Sequence, residues 1–263
     1  MVYILILTLS PINPLSIMIL YFSATGNCKY VAERIATATN DKAVSIETNP
    51  TVSLSADEPL GIVTPTYYWT LPINVMEFLA ALPCPTSSYL YYVGTFGTST
   101  GGASAEANSI MKKKGHPFDA LFDIRMPDTW TPEFDLSDPA KVEETNRKAD
   151  QEIDELIEQI KQRVRGTHMD FHLPKIAGLI GGRSYEKKRR TKYLTVSDAC
   201  IGCGLCAKKC PTQAIEMKQQ KPVWVIEKCL MCLRCLHHCP KFAIQYGKNT
   251  AKHGQYRNPH VTV

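Results

Sequence analysis

The sequence predicts a doubly wound α/β domain on a five-stranded parallel sheet, followed by a small α+β module rich in cysteine. Three observations predict it. Short apolar runs alternate with amphipathic helical segments from about residue 17 to residue 165. Eight of the ten cysteines fall in two runs of identical spacing between residues 200 and 239. The charge also changes sign along the chain. Residues 1–165 carry 13 Lys and Arg against 20 Asp and Glu, a net of −7, whereas residues 166–263 carry 17 against 5, a net of +12. Such asymmetry marks two modules, and 263 residues suit one ordinary domain plus a small one.

The elements follow in order. The apolar opening Val2–Leu9 is too short to span a bilayer, lacks a basic flank, and is broken by Pro11 and Pro14. Met18 stands just before a strand-like run, so residues 1–17 read as an over-extended start or a leader. Ile17–Phe22 is a continuous apolar run suited to a buried parallel strand. A helix from Lys29 to about Thr39 carries Val31, Ile35 and Ala38 on one face. Val44–Ile46 and Leu60–Thr64 give the next strands. Pro72–Leu82 is a helix with proline at an early, tolerated position. Tyr89–Gly94, a helix Ala103–Lys114 and the strand Leu121–Arg125 follow. Asp138 caps a long helix from Pro139 to about Val164, whose Val142, Ile153, Leu156, Ile157 and Ile160 face inward. The domain then spans 18–165.

The turn after the first strand, Ser23-Ala24-Thr25-Gly26-Asn27-Cys28, carries the most chemistry in this half. Small and hydroxyl residues at a strand-to-helix junction form a nest of N–H groups for a phosphate, and the helix adds its positive end. Ser23, Thr25 and Asn27 supply side-chain donors, and Gly26 permits the turn. Here the chain resembles flavodoxin, whose phosphate loop reads T/S-x-T-G-N-T; Cys28 stands where threonine is usual. The resemblance implies that FMN sits between the loops after the third and fourth strands, at the C-terminal edge of the sheet. The third-strand loop runs Thr64-Pro65-Thr66-Tyr67-Tyr68-Trp69-Thr70-Leu71-Pro72. Three consecutive aromatics in a loop cannot all be core, so at least one stacks on a planar ligand. The family pattern points to Tyr67, Trp69 and Pro72, and Thr66 of the same loop is a further cofactor-binding candidate. The fourth-strand loop offers Gly94, Thr95, Phe96, Gly97 and Gly101, whose glycines let backbone approach the flavin edge. Trp130 is a further candidate for the ring's second face.

The two cysteine runs are Cys200, Cys203, Cys206, Cys210 before Pro211, and Cys229, Cys232, Cys235, Cys239 before Pro240. Each is a C-x2-C-x2-C-x3-C-P run, the pattern of bacterial two-cluster ferredoxins. Three thiolates two residues apart can wrap one cubane, and the fourth crosses to the other. The expected ligand sets are therefore Cys200, Cys203, Cys206 and Cys239 for one [4Fe–4S] cluster, and Cys229, Cys232, Cys235 and Cys210 for the second. Zinc ribbons use two CxxC pairs rather than four cysteines per run with a trailing proline. From Leu194 to Tyr246 the chain resembles the two-cluster ferredoxin domain throughout. Val196, Ile215, Val225 and Ile244 read as short strands beneath the clusters. His237 and His238 read as surface or packing residues, and Cys84 as an inert loop thiol.

Residues 166–193 read as a basic linker with Gly181-Gly182 and the run Lys187–Lys192, 194–247 as the ferredoxin domain, and 248–263 as a polar tail. The basic run reads as solvated surface or as a contact with the acidic module; no nucleic-acid partner and no membrane span are expected. Free thiolates imply a reducing, cytoplasmic setting. The whole resembles the flavodoxin–ferredoxin fusions of anaerobic bacteria and archaea: a flavodoxin-like doubly wound sheet followed by a two-cluster ferredoxin domain. That resemblance implies an electron-transfer protein passing electrons between FMN, two [4Fe–4S] clusters and redox partner proteins. An FMN-dependent oxidoreductase, acting on a flavin, quinone or nitro compound and fed by its own clusters, is the alternative. No G-x-G-x-x-G dinucleotide fingerprint is present. Monomer and homodimer both stay open.

Overall fold

Six parallel strands form the main sheet in the computed structural model of the protein, which describes residues 19–52, 58–83, 89–169 and 175–263. In chain order they are β1 (Ile19–Tyr21), β2 (Ala43–Ser45), β3 (Pro59–Pro65), β4 (Tyr89–Phe96), β5 (Ala120–Arg125) and β6 (Gly166–His168). Their spatial order is β2-β1-β3-β4-β5-β6. The first five strands are those expected. The sixth comes from the segment read as linker: Gly166 and His168 register against Ala120 and Phe122, so the linker begins by extending the sheet. Residues 1–17 and Cys84, for which the sequence suggests a leader or over-extended start and an inert loop thiol, lie outside the described residues.

Both faces of the sheet are covered, which is why β3 and β4 are near-continuous apolar runs rather than alternating ones. On one face lie α1 (Asn27–Thr39) and, later in the chain, α4 (Pro139–Lys161). Val31, Ile35, Ile153, Leu156, Ile157 and Ile160 pack there on Ile19, Val63, Val93 and Phe122. On the other face α2 (Ile73–Ala81) and α3 (Ala103–Lys113) bring Val75, Leu79, Ala107 and Met111 onto Leu20, Ile62, Leu90 and Tyr92. Ala38, expected on the inner face of α1, is exposed; Ala32 and Ala36 take that stripe instead. Asp138 caps α4 as expected, its carboxylate accepting from the Ala140 and Lys141 N–H groups.

After β6 the chain enters α5 (Lys175–Lys188), so the expected linker is largely helix. The second module pairs β7 (Leu194–Val196) antiparallel with β10 (Ile244–Tyr246), and β8 (Ile215–Lys218) with β9 (Lys221–Trp224). The single turns α6 (Leu205–Lys208) and α7 (Arg234–His237) carry the third cysteine of each run, Cys206 and Cys235, and α8 (Thr250–His253) follows β10. Val225 lies one residue beyond β9 and is exposed, so it is not the packed strand residue expected. Its N–H still donates to Ala214 O.

The modules share a core. Tyr185 of α5, Met231, Leu233, Leu236 and Tyr246 form one apolar cluster, against which Tyr67, Tyr68 and Trp130 of the first module pack. The Tyr185 hydroxyl satisfies itself on Leu230 O at 2.8 Å. Among the described residues no helix is long and apolar enough to cross a membrane.

Candidate functional site

The loops that leave the C-terminal ends of β1, β3, β4 and β5 enclose a cavity of about 360 Å³. Its size falls in the range of small-molecule cofactor pockets. At one end stands the turn after β1, with Ser23, Ala24, Thr25, Asn27 and Cys28 in the wall. Ser23 Oγ accepts the Gly26 N–H at 3.1 Å and so closes the turn. No side chain caps the first turn of α1 and no acidic residue lies in it, leaving N–H groups that suit an anion. Cys28, buried, meets Thr95 Oγ1 of the fourth-strand loop at 3.1 Å, tying two loops together; burial pushes its thiol up to about 12. The thiol is therefore neutral and a packing group.

The aromatic wall comes from an unusual turn. Tyr67 and Thr70 exchange both backbone hydrogen bonds, at 2.9 and 3.0 Å, so Tyr68 and Trp69 are the two central residues of a tight hairpin. Both have positive φ, 50° and 63°, the pattern of a type I′ turn that normally takes Asn-Gly. Left-handed backbone costs about 1–2 kcal/mol per residue there. The surroundings hold it: Trp69 O accepts the Gly102 N–H at 2.7 Å, and Glu106 accepts from Thr70 Oγ1 and the Leu71 N–H. Gly181 of α5 packs on the same turn, since a Cβ there would stand 1.9 Å from Tyr68 O. Tyr67, Tyr68 and Trp69 all line the cavity, Trp69 at its open side with 42% exposure. Trp130 lines it too, edge-on to Tyr68 at 5.0 Å.

Three expected contact residues stand behind the wall. Gly26 turns away with φ 106°, its Cβ position covered by Asn258 at 2.7 Å. Gly94 faces the Tyr92 ring of the sheet. Gly101, φ 55°, backs Trp69: an added Cβ would come within 2.2 Å of Trp69 Cβ. These glycines shape the loops rather than line the cavity. Thr66, Thr95, Phe96 and Gly97 do line it.

The structure adds residues that the sequence reading passed over. Met126, Pro127 and Asp128, in the loop after β5, form part of the wall. Asp128 nestles against Gly97, and its carboxyl accepts the Trp130 N–H at 3.0 Å. Burial, and secondarily the charge of Glu133, raise its pKa to about 6 against the favourable Trp130 bond. The Thr66 hydroxyl, the Tyr68 phenol and the Trp130 indole N–H are buried without partners. Unsatisfied polar groups converging on one cavity fit a ligand with polar edges and a planar ring. Burial raises both the Tyr67 and Tyr68 phenols, so both keep a proton to donate.

The cysteines separate into two further cavities. Cys200, Cys203, Cys206 and Cys239 line one, with Ile201, Pro240 and Ile244. Cys210, Cys229, Cys232 and Cys235 line the other, with Leu230, Met231 and Trp224. Each quartet thus draws its fourth member from the other run. Matching positions repeat the same local geometry. Gln213 and Phe242 both have positive φ, and the next N–H groups, of Ala214 and Ala243, point at Cys210 Sγ and Cys239 Sγ at 3.2 and 3.3 Å. Backbone donors aimed at sulfur suit thiolate ligands of a cluster. Among the described residues no group of three His, Cys, Asp or Glu is arranged for a single metal ion. Cys232, with Met231 and Leu233, also lines the aromatic cavity, so the two cavities share a wall.

His237 and His238 are packing residues, not surface ones, and they pack between modules. His237 Nδ1 accepts the Tyr256 N–H at 3.1 Å, which leaves Nε2 as donor to Thr129 O at 2.9 Å. His238 Nε2 reaches Ala24 O at 3.2 Å. Burial lowers both imidazoles to about 4. The tail is committed as well. Tyr256 and Asn258 are buried, the Tyr256 hydroxyl donating to Asn27 Oδ1 at 2.9 Å and the Asn258 N–H to Thr25 O at 2.8 Å. Of the basic run, Lys188 lies 4.0 Å from Glu133 of the first module, whereas Arg189 donates to Cys229 O and pairs with Glu186.

Comparison with known proteins agrees with this division. A flavodoxin-domain family model matches residues 18–155, and a 4Fe–4S dicluster-domain model matches residues 192–240. No curated protein matches. Among solved structures, a short-chain flavodoxin associated with a non-canonical PDU bacterial microcompartment is 16% identical, covering 54% of this chain and 99% of its own, with a TM-score of 0.34.

Proposed function

The chain belongs to the flavodoxin family, with a 4Fe–4S dicluster domain behind the flavodoxin domain and an electron-transfer role that follows from both; from that premise we propose that it is a carrier holding FMN and two [4Fe–4S] clusters in one chain. FMN would lie in the cavity of about 360 Å³, its phosphate at Ser23–Cys28 and its ring between the Tyr67–Trp69 turn and the Thr95–Gly97 loop. The cysteine quartets would hold the clusters. When bound, a flavin exchanges electrons singly or in pairs and a cubane exchanges one at a time.

The shared wall carries the reading. Met231, Cys232 and Leu233 stand between the aromatic cavity and that of Cys210, Cys229, Cys232 and Cys235, lining both. Cys203 of the other quartet is exposed, which makes that end the docking side for redox partner proteins. Thr66, Tyr68 and Trp130 offer unsatisfied polar groups to orient the ring, and the neutral Tyr67 and Tyr68 add no charge to it. Free thiolates point to a reducing, cytoplasmic setting.

The test is an anaerobic visible spectrum of reconstituted protein, first with NADH or NADPH alone and then with a reduced ferredoxin. The carrier reading expects no bleaching by either nucleotide and full bleaching by the ferredoxin. Bleaching by NADH or NADPH overturns it in favour of a flavin-dependent oxidoreductase.

A further inference from the structure

Three consecutive carbonyl groups of the phosphate loop are held from the second module. Arg234 Nη2 donates to Ser23 O at 2.6 Å, His238 Nε2 to Ala24 O at 3.2 Å, and the Asn258 N–H to Thr25 O at 2.8 Å. None of the three donors lines the aromatic cavity. Carbonyls held on that outer side do not turn their negative ends toward an anion within.

Arg234 alone among the three also lines the cavity of Cys210, Cys229, Cys232 and Cys235. It sits between Cys232 and Cys235 in the chain, and Nη1 donates at 3.1 Å to Lys209 O, the residue before Cys210. Glu47 of the first module takes both terminal nitrogens, at 2.8 and 2.7 Å, as a two-pronged ion pair. Arg234 is 6% exposed, yet its Nε–H has no partner. A buried, charged N–H without an acceptor calls for one. The carbonyl and carboxylate acceptors around it are already on Nη1 and Nη2, the Phe22 ring lies 5.8 Å from the guanidinium carbon, and Arg234 lines the cavity in which cluster sulfur would stand.

We propose that Arg234 couples the two cofactor sites: its Nε–H donates to sulfur of the cluster held by Cys210, Cys229, Cys232 and Cys235, while its Nη groups fix the phosphate loop through Ser23 O. The inference rests on the FMN-and-cluster reading above. Reduction adds negative charge to a cluster, so a cationic donor at its sulfur stabilises the reduced form and raises the potential. The same side chain holds the loop for flavin phosphate. Lysine cannot replace it, because a point charge cannot serve Glu47, Ser23 O and a sulfur together.

Full-length protein is reconstituted with iron, sulfide and FMN, and its iron and FMN contents are measured first. A wild type that takes up no FMN or no clusters defeats the underlying reading; with both present, Arg234→Gln and Arg234→Lys test the coupling. FMN dissociation is read by fluorescence titration of flavin-stripped protein, and each cluster's reduction by an EPR-monitored potential titration. Arg234→Gln should weaken FMN binding about tenfold. It should also disfavour reduction of the near cluster about tenfold, some 59 mV for one electron, and leave the Cys200 cluster unmoved. Arg234→Lys should lose the FMN affinity equally but recover part of the potential. If the glutamine variant fails to load clusters, the lysine variant decides. An unchanged FMN affinity, or an unchanged near-cluster potential, in the deciding variant overturns the coupling.

Discussion

Replacing Asp128 with asparagine should stabilise the flavin-free protein, and more so as the pH rises. The carboxyl is pressed against Gly97 in the cavity wall, and burial lifts its pKa from 3.8 to about 6. A raised carboxyl pKa means that the native state holds a proton that the unfolded chain has released. Stability therefore falls as pH rises from about 4 through about 6 and stays low above that. At 1.36 kcal/mol per pKa unit, the full penalty is about 3 kcal/mol above pH 7, of which about half is present at pH 5. Asparagine keeps the shape and an oxygen to accept the Trp130 N–H, so it removes the ionisation and little else. Thermal unfolding of wild type and Asp128→Asn, followed by far-UV circular dichroism at pH 5, 6 and 7.5, measures the difference. The variant should lead by about 1.5 kcal/mol at pH 5 and about 3 kcal/mol at pH 7.5, the latter worth about 6 °C in a chain of this length. A gap that is constant or narrows with pH would refute the placement of Asp128 as a half-buried acid held against Gly97 with the Trp130 N–H as its hydrogen-bond donor.

Three other outcomes are expected. Thr25→Ala with Asn27→Ala should release FMN, weakening its binding at least tenfold by fluorescence titration, while the iron content stays at the wild-type value; joint loss of iron would mean that the two sites do not load separately. Cys239→Ser should leave about four iron atoms per chain, and the surviving EPR signal should be the one sensitive to Arg234, because Cys239 completes the other quartet. Gly101→Ala forces a Cβ against Trp69 at a positive φ, so FMN affinity should fall about tenfold and the unfolding free energy by about 1–2 kcal/mol, measured by titration and by urea denaturation.

The chain reveals its chemistry unevenly. The grouping of the cysteines was legible because the family pattern depends on spacing along the chain, and Cys200–Cys210 and Cys229–Cys239 carry that spacing openly. The sheet was legible through its apolar runs and through Asp138 at the head of α4. The exception was Gly166–His168, where three exposed residues join β5 by backbone pairing and one ring stack, His168 on Phe122, and leave no apolar run to mark a strand. Ser23–Cys28 and the aromatic loop were legible as loops of unusual composition. Which aromatics face the cavity was not, since the left-handed backbone at Tyr68 and Trp69 depends on Gly102, Glu106 and Gly181, none of them close in sequence.

By itself the sequence determined two modules, the order of their elements, and the residues whose chemistry suits a flavin phosphate and two clusters. Periodicity and ligand spacing are local properties, written in consecutive residues. Only the tertiary structure decided that Cys232 stands in the wall of the aromatic cavity, that Asp128 is held against Gly97, and that Arg234, His238 and Asn258 reach back to Ser23, Ala24 and Thr25. His238, read as a surface or packing residue, and the tail around Asn258, read as a polar tail, have nothing periodic to mark them. Their roles arise from backbone carbonyls more than 200 positions away, which any sequence would present and only the packing of the two modules brings within reach.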